Sequence, residues 1–416
     1  MPLWLCIRLP QLTAEALAGQ RLALERLSAW AYQWSSLVSP AASEPLLWLE
    51  LGASCALFDG HAALLARIEA ELVRLEYSHV CALAPSPTAA ALLTRAPGRY
   101  GPLDRAQLRR QLAPLSLRLL ELPAATLSGL EASGLRRIGE VLDLPAAAIA
   151  RRFGPETLQY LRRLSAEASD PRPAWVLPPI YRSRCEFPVE VRTSTALLFP
   201  LQRLLLEFQG YLRGRDCGVL RFTLDFEHYR HPTSRVSIGL SGAGRDAAQF
   251  LTLARERMHS LVLPAPVSAL QLEALEFTAP AIVQTDLFGQ DAQPLQQLQR
   301  LLDRLRARLG EDSVQALELA ADYRPERAWR RVTPEQARGT AADPQSPPRP
   351  CWLLPEPVRI EAPEALLPES ERIESGWWDG ADASRDYYLA RTAAGSQLWI
   401  FHDRRADRWY LHGLWA

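Results

Sequence analysis

Gln284-Thr285-Asp286-Leu287-Phe288 is the stretch whose residue types and spacing point most directly to chemistry, and that chemistry is docking. Adjacent Leu and Phe in an extended segment can fill one apolar pocket of a partner, while the preceding Gln reaches back to hydrogen-bond its rim. The same two side chains would equally staple a loop to the protein's own core. A second candidate is Gly134-Leu135-Arg136-Arg137-Ile138-Gly139. A glycine that permits a tight turn, followed by backbone N–H groups at a helix start, can cradle a phosphate. Six arginines stand against three acids between Leu135 and Arg163, a balance that a solvated helical surface would also display. Metal chemistry finds little support. Cys6, Cys55, Cys81, Cys185, Cys217 and Cys351 have no paired short spacing, which argues against both a zinc site and a disulfide framework. His228 and His231 form the one close histidine pair and have no acidic or Cys partner at ligand spacing. The chain contains no lysine and no asparagine, so all 47 basic side chains are Arg. Chemistry that needs an amine, such as a phosphate-gripping P-loop lysine or a Schiff base, is excluded, and so is N-glycosylation.

The elements that must position these residues can be read from the apolar spacing. At 416 residues the chain can hold several cores, and its 47 acids balance its 47 bases, so any nucleic-acid patch must be local. No apolar run approaches 18 residues and Met1 to Pro10 lacks a basic leader, which reads as a soluble, cytoplasmic protein without a membrane partner. Strand, helix, strand, helix, strand over 3–95 suggests a small α/β domain. Residues 119–168 turn helical. Beyond the break at Pro171 to Pro179, strands at 185–191, 218–229, 234–240 and 267–277 with helices at 195–213 and 245–261 predict a βαββαβ unit. Alternation of Val219, Arg221, Thr223 and Asp225 against Leu220, Phe222, Leu224 and Phe226 predicts one buried and one open face. Tyr181 to Gly244 holds nine arginines and six acids, with Arg182, Arg184, Arg221 and Arg235 as candidate phosphate contacts. An amphipathic helix over 295–309 and a strand over 314–319 precede a linker rich in Pro, Ala, Gly and Ser at 333–350. Tryptophans crowd the last 66 residues, Trp352, Trp377, Trp378, Trp399 and Trp409 among them. Three strands, at 385–392, 397–402 and 409–412, predict a small β domain whose aromatics form either its core or a docking surface.

Four stretches in this order carry a resemblance: Leu49-Glu50-Leu51-Gly52-Ala53-Ser54 with Leu57-Phe58-Asp59-Gly60, then Ala82-Leu83-Ala84-Pro85, then Gly134 through Leu142, then Asp386-Tyr387-Tyr388-Leu389-Ala390-Arg391 with Trp409 through Leu414. Together they resemble the Y-family DNA polymerases, and specifically the ImuB-type polymerase-like proteins. The implied fold is a multidomain α+β chain. It comprises a Y-family polymerase-like palm with truncated fingers (1–117), a helical thumb (118–175), a βαββαβ little finger (176–283), the docking peptide with a following helix and strand (284–332), a linker (333–350) and a small C-terminal β domain (351–416). The family's metal-binding carboxylates are missing. Arg8 and Pro10 stand at the first-strand motif, Pro45 and Leu46 at the second, and Pro87 where a nucleotide-binding lysine would be. A fixed cation repels Mg²⁺. About 35 residues separate the first motif from Pro45, too few for a lid over a nucleotide.

The resemblance implies a non-catalytic adaptor in error-prone translesion synthesis and induced mutagenesis, with no metal and no cofactor. Its implied partners are DNA, the sliding clamp through Gln284, Thr285, Asp286, Leu287 and Phe288, an ImuA-like RecA-related protein and an error-prone C-family DNA polymerase. DNA contacts would fall on Gly134, Arg136, Arg137, Arg182, Arg184, Arg221 and Arg235. Two other readings stay open: a divergent active Y-family polymerase, and a plain structure-specific DNA-binding protein.

Overall fold

The computed structural model describes residues 2–14, 17–98, 104–259, 261–279, 293–337, 349–363, 366–392 and 395–415. The chain forms two compact units, Met1–Arg308 and Leu309–Ala416.

The first unit starts with a sheet whose strands are almost wholly apolar. Its elements run β1 (Trp4–Arg8), α1 (Leu17–Ala31), β2 (Val38–Pro40), β3 (Leu46–Glu50), α2 (His61–Arg74), β4 (Val80–Ala84) and α3 (Pro87–Leu93), and the sheet order is β2-β3-β1-β4. Every ladder is antiparallel, with Arg8 opposite Leu46 on one side and Val80 on the other, so the parallel βαβ layer expected of an α/β domain does not form. Continuous rather than alternating apolar runs follow from burial of both faces. Leu5, Ile7, Leu47, Leu49 and Leu83 pack beneath α1 and α2. Trp4, Cys6, Leu46, Trp48, Ala82 and Ala84 point the other way. That second face is closed by α3, all seven of whose residues are buried, and by the helices that follow it. Ser86 caps α3 by accepting the Ala89 N–H, and Pro87 occupies its first turn, where a missing N–H costs nothing.

Those following helices are α4 (Arg105–Leu112), α5 (Ala124–Ala132), α6 (Ile138–Leu142), α7 (Ala146–Phe153) and α8 (Pro155–Leu164), and they contribute Leu108, Leu112, Leu130, Ile138, Val141, Leu161 and Leu164 to the second core. The predicted βαββαβ pattern forms as β5 (Tyr181–Val191), α9 (Ser194–Gly214), β6 (Val219–His228), β7 (His231–Gly244), α10 (Ala247–His259) and β8 (Val267–Ala274), in sheet order β5-β8-β6-β7. A register shift between Val219 and Arg221 breaks the expected alternation. Val219 is consequently buried and Leu220 exposed, the reverse of the sequence reading.

Residues 1–84 and 175–277 share one continuous core, although the sequence suggested separate domains for them. Two glycines of α9 make this possible. A Cβ on Gly210 would come within 2.6 Å of the Trp30 ring, and one on Gly214 within 2.8 Å of the Tyr32 backbone, so α1 and α9 cross with main chains nearly touching. Glu207 of α9 is fully buried beside that crossing, 3.8 Å from Arg26 of α1 and 3.5 Å from Arg203. Burial opposes the charge on Arg26, and Glu207 more than restores it, so Arg26 is held firmly protonated. Helix α11 (Gln293–Leu309) docks through Asp303, which accepts from the Ser241 N–H and hydroxyl at 2.7 Å each.

The second unit holds a hairpin, β9 (Ala316–Leu319) with β10 (Trp329–Val332), and a five-stranded antiparallel sheet. The sheet's strands are β11 (Trp352–Ile360), β12 (Leu366–Ser375), β13 (Ala383–Arg391), β14 (Gln397–Asp403) and β15 (Arg408–Leu414), ordered β11-β15-β14-β13-β12. The predicted three-strand meander is its centre. The two unforeseen strands are its edges, where Pro355, Pro357 and Pro368 are tolerated and coincide with breaks in register.

Candidate nucleic-acid interface

Arg8, Leu46 and Pro45 do come together. Arg8 and Leu46 face each other across the β1–β3 ladder, and the Pro45 carbonyl accepts the Leu9 N–H at 3.0 Å. The face they share is filled rather than open: Cys6 is 0% exposed, Leu46 3% and Trp48 6%. Pro87 sits at the edge of the same layer, its carbonyl accepting the Trp48 indole N–H at 3.0 Å. Arg172 lies over the Trp48 ring, and Asp170 accepts from both the N–H and hydroxyl of Thr88. Nearby, Arg95 is bracketed by Glu44 and Glu121. Asp170, Glu44 and Glu121 are therefore committed to Thr88 and to arginines. Glu50 lies at the opposite end of β3, accepting from the N–H groups of Leu3 and Gly52.

The turn at Gly134 forms as expected, with φ at 83°, a conformation suited to glycine. Its use as a phosphate cradle does not follow. The N–H groups of Arg136 and Arg137 both donate to the Glu140 carboxylate, at 2.6 and 3.0 Å, and hold that acid below the usual carboxylate range. The next two amides are also taken, Ile138 by the Leu115 carbonyl and Gly139 by the Ala113 carbonyl. A Cβ on Gly139 would strike Ala113 at 2.8 Å, so this glycine serves helix packing. An internal anion thus occupies the place where a phosphate would bind, and the Arg136 guanidinium turns back to the Glu131 carbonyl. The sequence signal for this was Glu140 itself, at the third position of a short helix.

On the βαββαβ sheet, Arg182, Arg184, Arg221 and Arg235 share one face, and Arg182, Arg184 and Arg235 carry acidic partners. Arg182 pairs with Glu273 across the β5–β8 ladder. Arg184 forks onto Glu227 with two 2.8 Å bonds, and Arg235 onto Asp225 at 2.7 and 2.6 Å. These bonds raise Arg184 and Arg235 and lower Glu227, which fixes the charged forms. Arg221 is engaged as well. His228 is a satisfied core histidine, with Nδ1 at 3.1 Å from the Pro266 carbonyl and Nε2 at 2.9 Å from the Ser234 hydroxyl. Gln284 to Phe288 lie outside the described residues.

Among the exposed aromatics of the second unit, which also include Tyr323, Trp329 and Trp352, Trp377 and Trp378 stand side by side, set edge to face in the turn between β12 and β13. Sequence spacing did not reveal what holds them. Buried Arg324, from the loop between β9 and β10, binds Asp379 through both terminal nitrogens and the Ala381 carbonyl at 2.9 Å. Gly376, at φ 90°, leaves room for that guanidinium, which a Cβ would strike. The two indoles are thereby presented on a fixed turn. No helix among the described residues is long and apolar enough to cross a membrane.

No family model matches the chain. Two curated relatives, Protein ImuB from Caulobacter vibrioides strains NA1000/CB15N and ATCC 19089/CIP 103742/CB 15, are 27% identical over 443 residues, covering 96% of this chain and 94% of theirs. The chain is therefore ImuB-like along nearly its whole length. Among solved structures, DinB from Sulfolobus solfataricus matches at TM-score 0.34 and 11% identity, covering 67% of this chain and 99% of its own. An insertion ternary complex of Dbh DNA polymerase matches at TM-score 0.34 and 10% identity, covering 65% and 98%.

Proposed function

We propose that this protein is a non-catalytic, polymerase-like adaptor in error-prone translesion synthesis and induced mutagenesis. The observation that carries the reading is the layer behind Arg8 and Leu46. Where a polymerase of this kind needs an open, carboxylate-lined face for two Mg²⁺ ions, this sheet carries a cation, two prolines and close-packed apolar side chains. The ImuB likeness supplies the setting.

In this reading Gln284, Thr285, Asp286, Leu287 and Phe288 hold the sliding clamp. The paired tryptophans of the C-terminal unit serve recruitment of an ImuA-like RecA-related protein and a C-family polymerase. DNA is met by the arginine-lined open sheet face, through Arg182, Arg184, Arg221 and Arg235, and by the arginines of the thumb-like helices. Because Arg182, Arg184 and Arg235 already pair with acids, DNA must compete with internal partners there, and affinity for DNA alone is weak and falls steeply with salt. The test is clamp binding by the full chain carrying Gln284→Ala, Leu287→Ala and Phe288→Ala together. Binding drops at least about tenfold while the melting temperature stays put, the loss ordinary for anchor residues of a docking peptide. Undiminished clamp affinity would leave the pentapeptide as a loop staple only.

A further inference from the structure

No metal was expected from the cysteine and histidine spacings singled out above, yet the fold brings Glu69 within reach of His79 and Cys81, which stand two residues apart. Glu69 of α2, His79 in the loop before β4, and Cys81 of β4 each offer a ligand atom, and these atoms all lie within 4.8 Å of one another. The strand geometry explains the meeting. Ala82 belongs to the layer closed by α3, while Cys81, its neighbour on the strand, packs against the opposite core with residues of α2. On that helix Glu69 stands one turn after Leu65 and three residues before Leu72, both of which pack into the core.

The histidine is set up as a ligand by a second, independent contact. Its Nδ1 lies 2.8 Å from the Tyr77 carbonyl, which can only accept, so Nδ1 carries the proton and the lone pair is on Nε2. A backbone carbonyl on the far ring nitrogen is the usual outer partner of a metal-bound imidazole. The loop is itself tied down, the Ser78 N–H donating to Gln11 at 2.5 Å.

We propose that Glu69, His79 and Cys81 form a site for one divalent cation of the zinc class, clipping helix α2 to the edge strand β4. A thiolate, an imidazole and a carboxylate form a borderline-soft donor set that suits Zn²⁺ and disfavours Mg²⁺ or Ca²⁺. In a tetrahedral zinc site the ligand atoms sit roughly 3.3–3.8 Å apart, given bonds of about 2.0–2.3 Å, so small rotamer changes close the set. Three protein ligands leave the fourth position to water. The site lies on the α2 side of the sheet, away from Arg8 and Leu46, and has no part in the positions compared with a polymerase's metals.

The experiment titrates the chelator-treated full chain with Co²⁺ and then Zn²⁺. The expected result is a thiolate-to-cobalt charge-transfer band saturating at one metal per chain, displaced by Zn²⁺, with a rise in melting temperature on zinc addition. Cys81→Ser abolishes the band, and His79→Gln weakens binding by more than about a hundredfold, beyond the roughly 10–100-fold that loss of an outer-shell partner costs. Glu69→Gln, at a half-buried position, weakens it too. Absence of the band, or a band that survives Cys81→Ser and thus belongs to another cysteine such as exposed Cys351, overturns the proposal.

Discussion

His412 shows how much one residue's surroundings can decide. It is buried, and its Nδ1 lies 2.8 Å from the Tyr387 hydroxyl, which also accepts from Arg385. Its Nε2 stands 3.8 Å from Glu326. Burial lowers the imidazole from 6.5 to about 4; Glu326 resists this and Arg385 assists it. A group kept neutral in the folded state takes its proton first when unfolded, so the stability it contributes is complete above about pH 6.5 and is lost as pH falls toward 4. The C-terminal unit should therefore lose on the order of 1–2 kcal/mol between about pH 7 and pH 5, partial solvent access included. Urea unfolding at the two pH values measures the loss. In His412→Leu the slope flattens even though Tyr387 loses its partner; an unchanged slope would mean that another group titrates.

At the scale of elements, the crossing of α1 and α9 is where the fold departs furthest from an array of separable domains. Gly210 and Gly214 are spaced by one helical turn, and the fit at Trp30 and Tyr32 leaves no volume for a methyl group. Glycine to alanine in an exposed helix gains up to about 1 kcal/mol. Here overpacking reverses the sign, and Gly210→Ala should destabilise the first unit by about 1–3 kcal/mol in chemical denaturation. A neutral or stabilised variant would show that the helices stand further apart. The pattern of β5 to β8 was legible because apolar alternation and helix length specify such elements locally. The crossing was not, because nothing in Gly210 or Gly214 tells which helix will approach. The same limit applies to the site. Arg182, Arg184 and Arg235 could be picked out as candidate phosphate contacts from a local excess of arginine, whereas their neutralisation by Glu273, Glu227 and Asp225 depends on cross-strand register. Edge strands β11 and β12 escaped notice because their prolines and charges are what an edge tolerates and a central strand does not.

For the molecule as a whole, the question is whether the proposed adaptor could be converted into an active polymerase. Balanced charge and committed acids argue that it could not, and the first sheet gives the physical reason. With cores on both faces, the positions that the proposed reading sets against metal ligands border packed side chains, and Leu46 is 3% exposed. An unpaired carboxylate placed there loses hydration without gaining a partner, a penalty of several kcal/mol. Arg8→Asp combined with Leu46→Asp should therefore lower the melting temperature by several degrees and give no Mg²⁺-dependent primer extension. Arg8→Asp alone, at the half-buried end of β1, tests the charge separately and should fold normally while remaining inactive. Extension by either variant at an unchanged melting temperature would mean that the face opens readily, and the adaptor reading would give way to that of a polymerase silenced only by substitution.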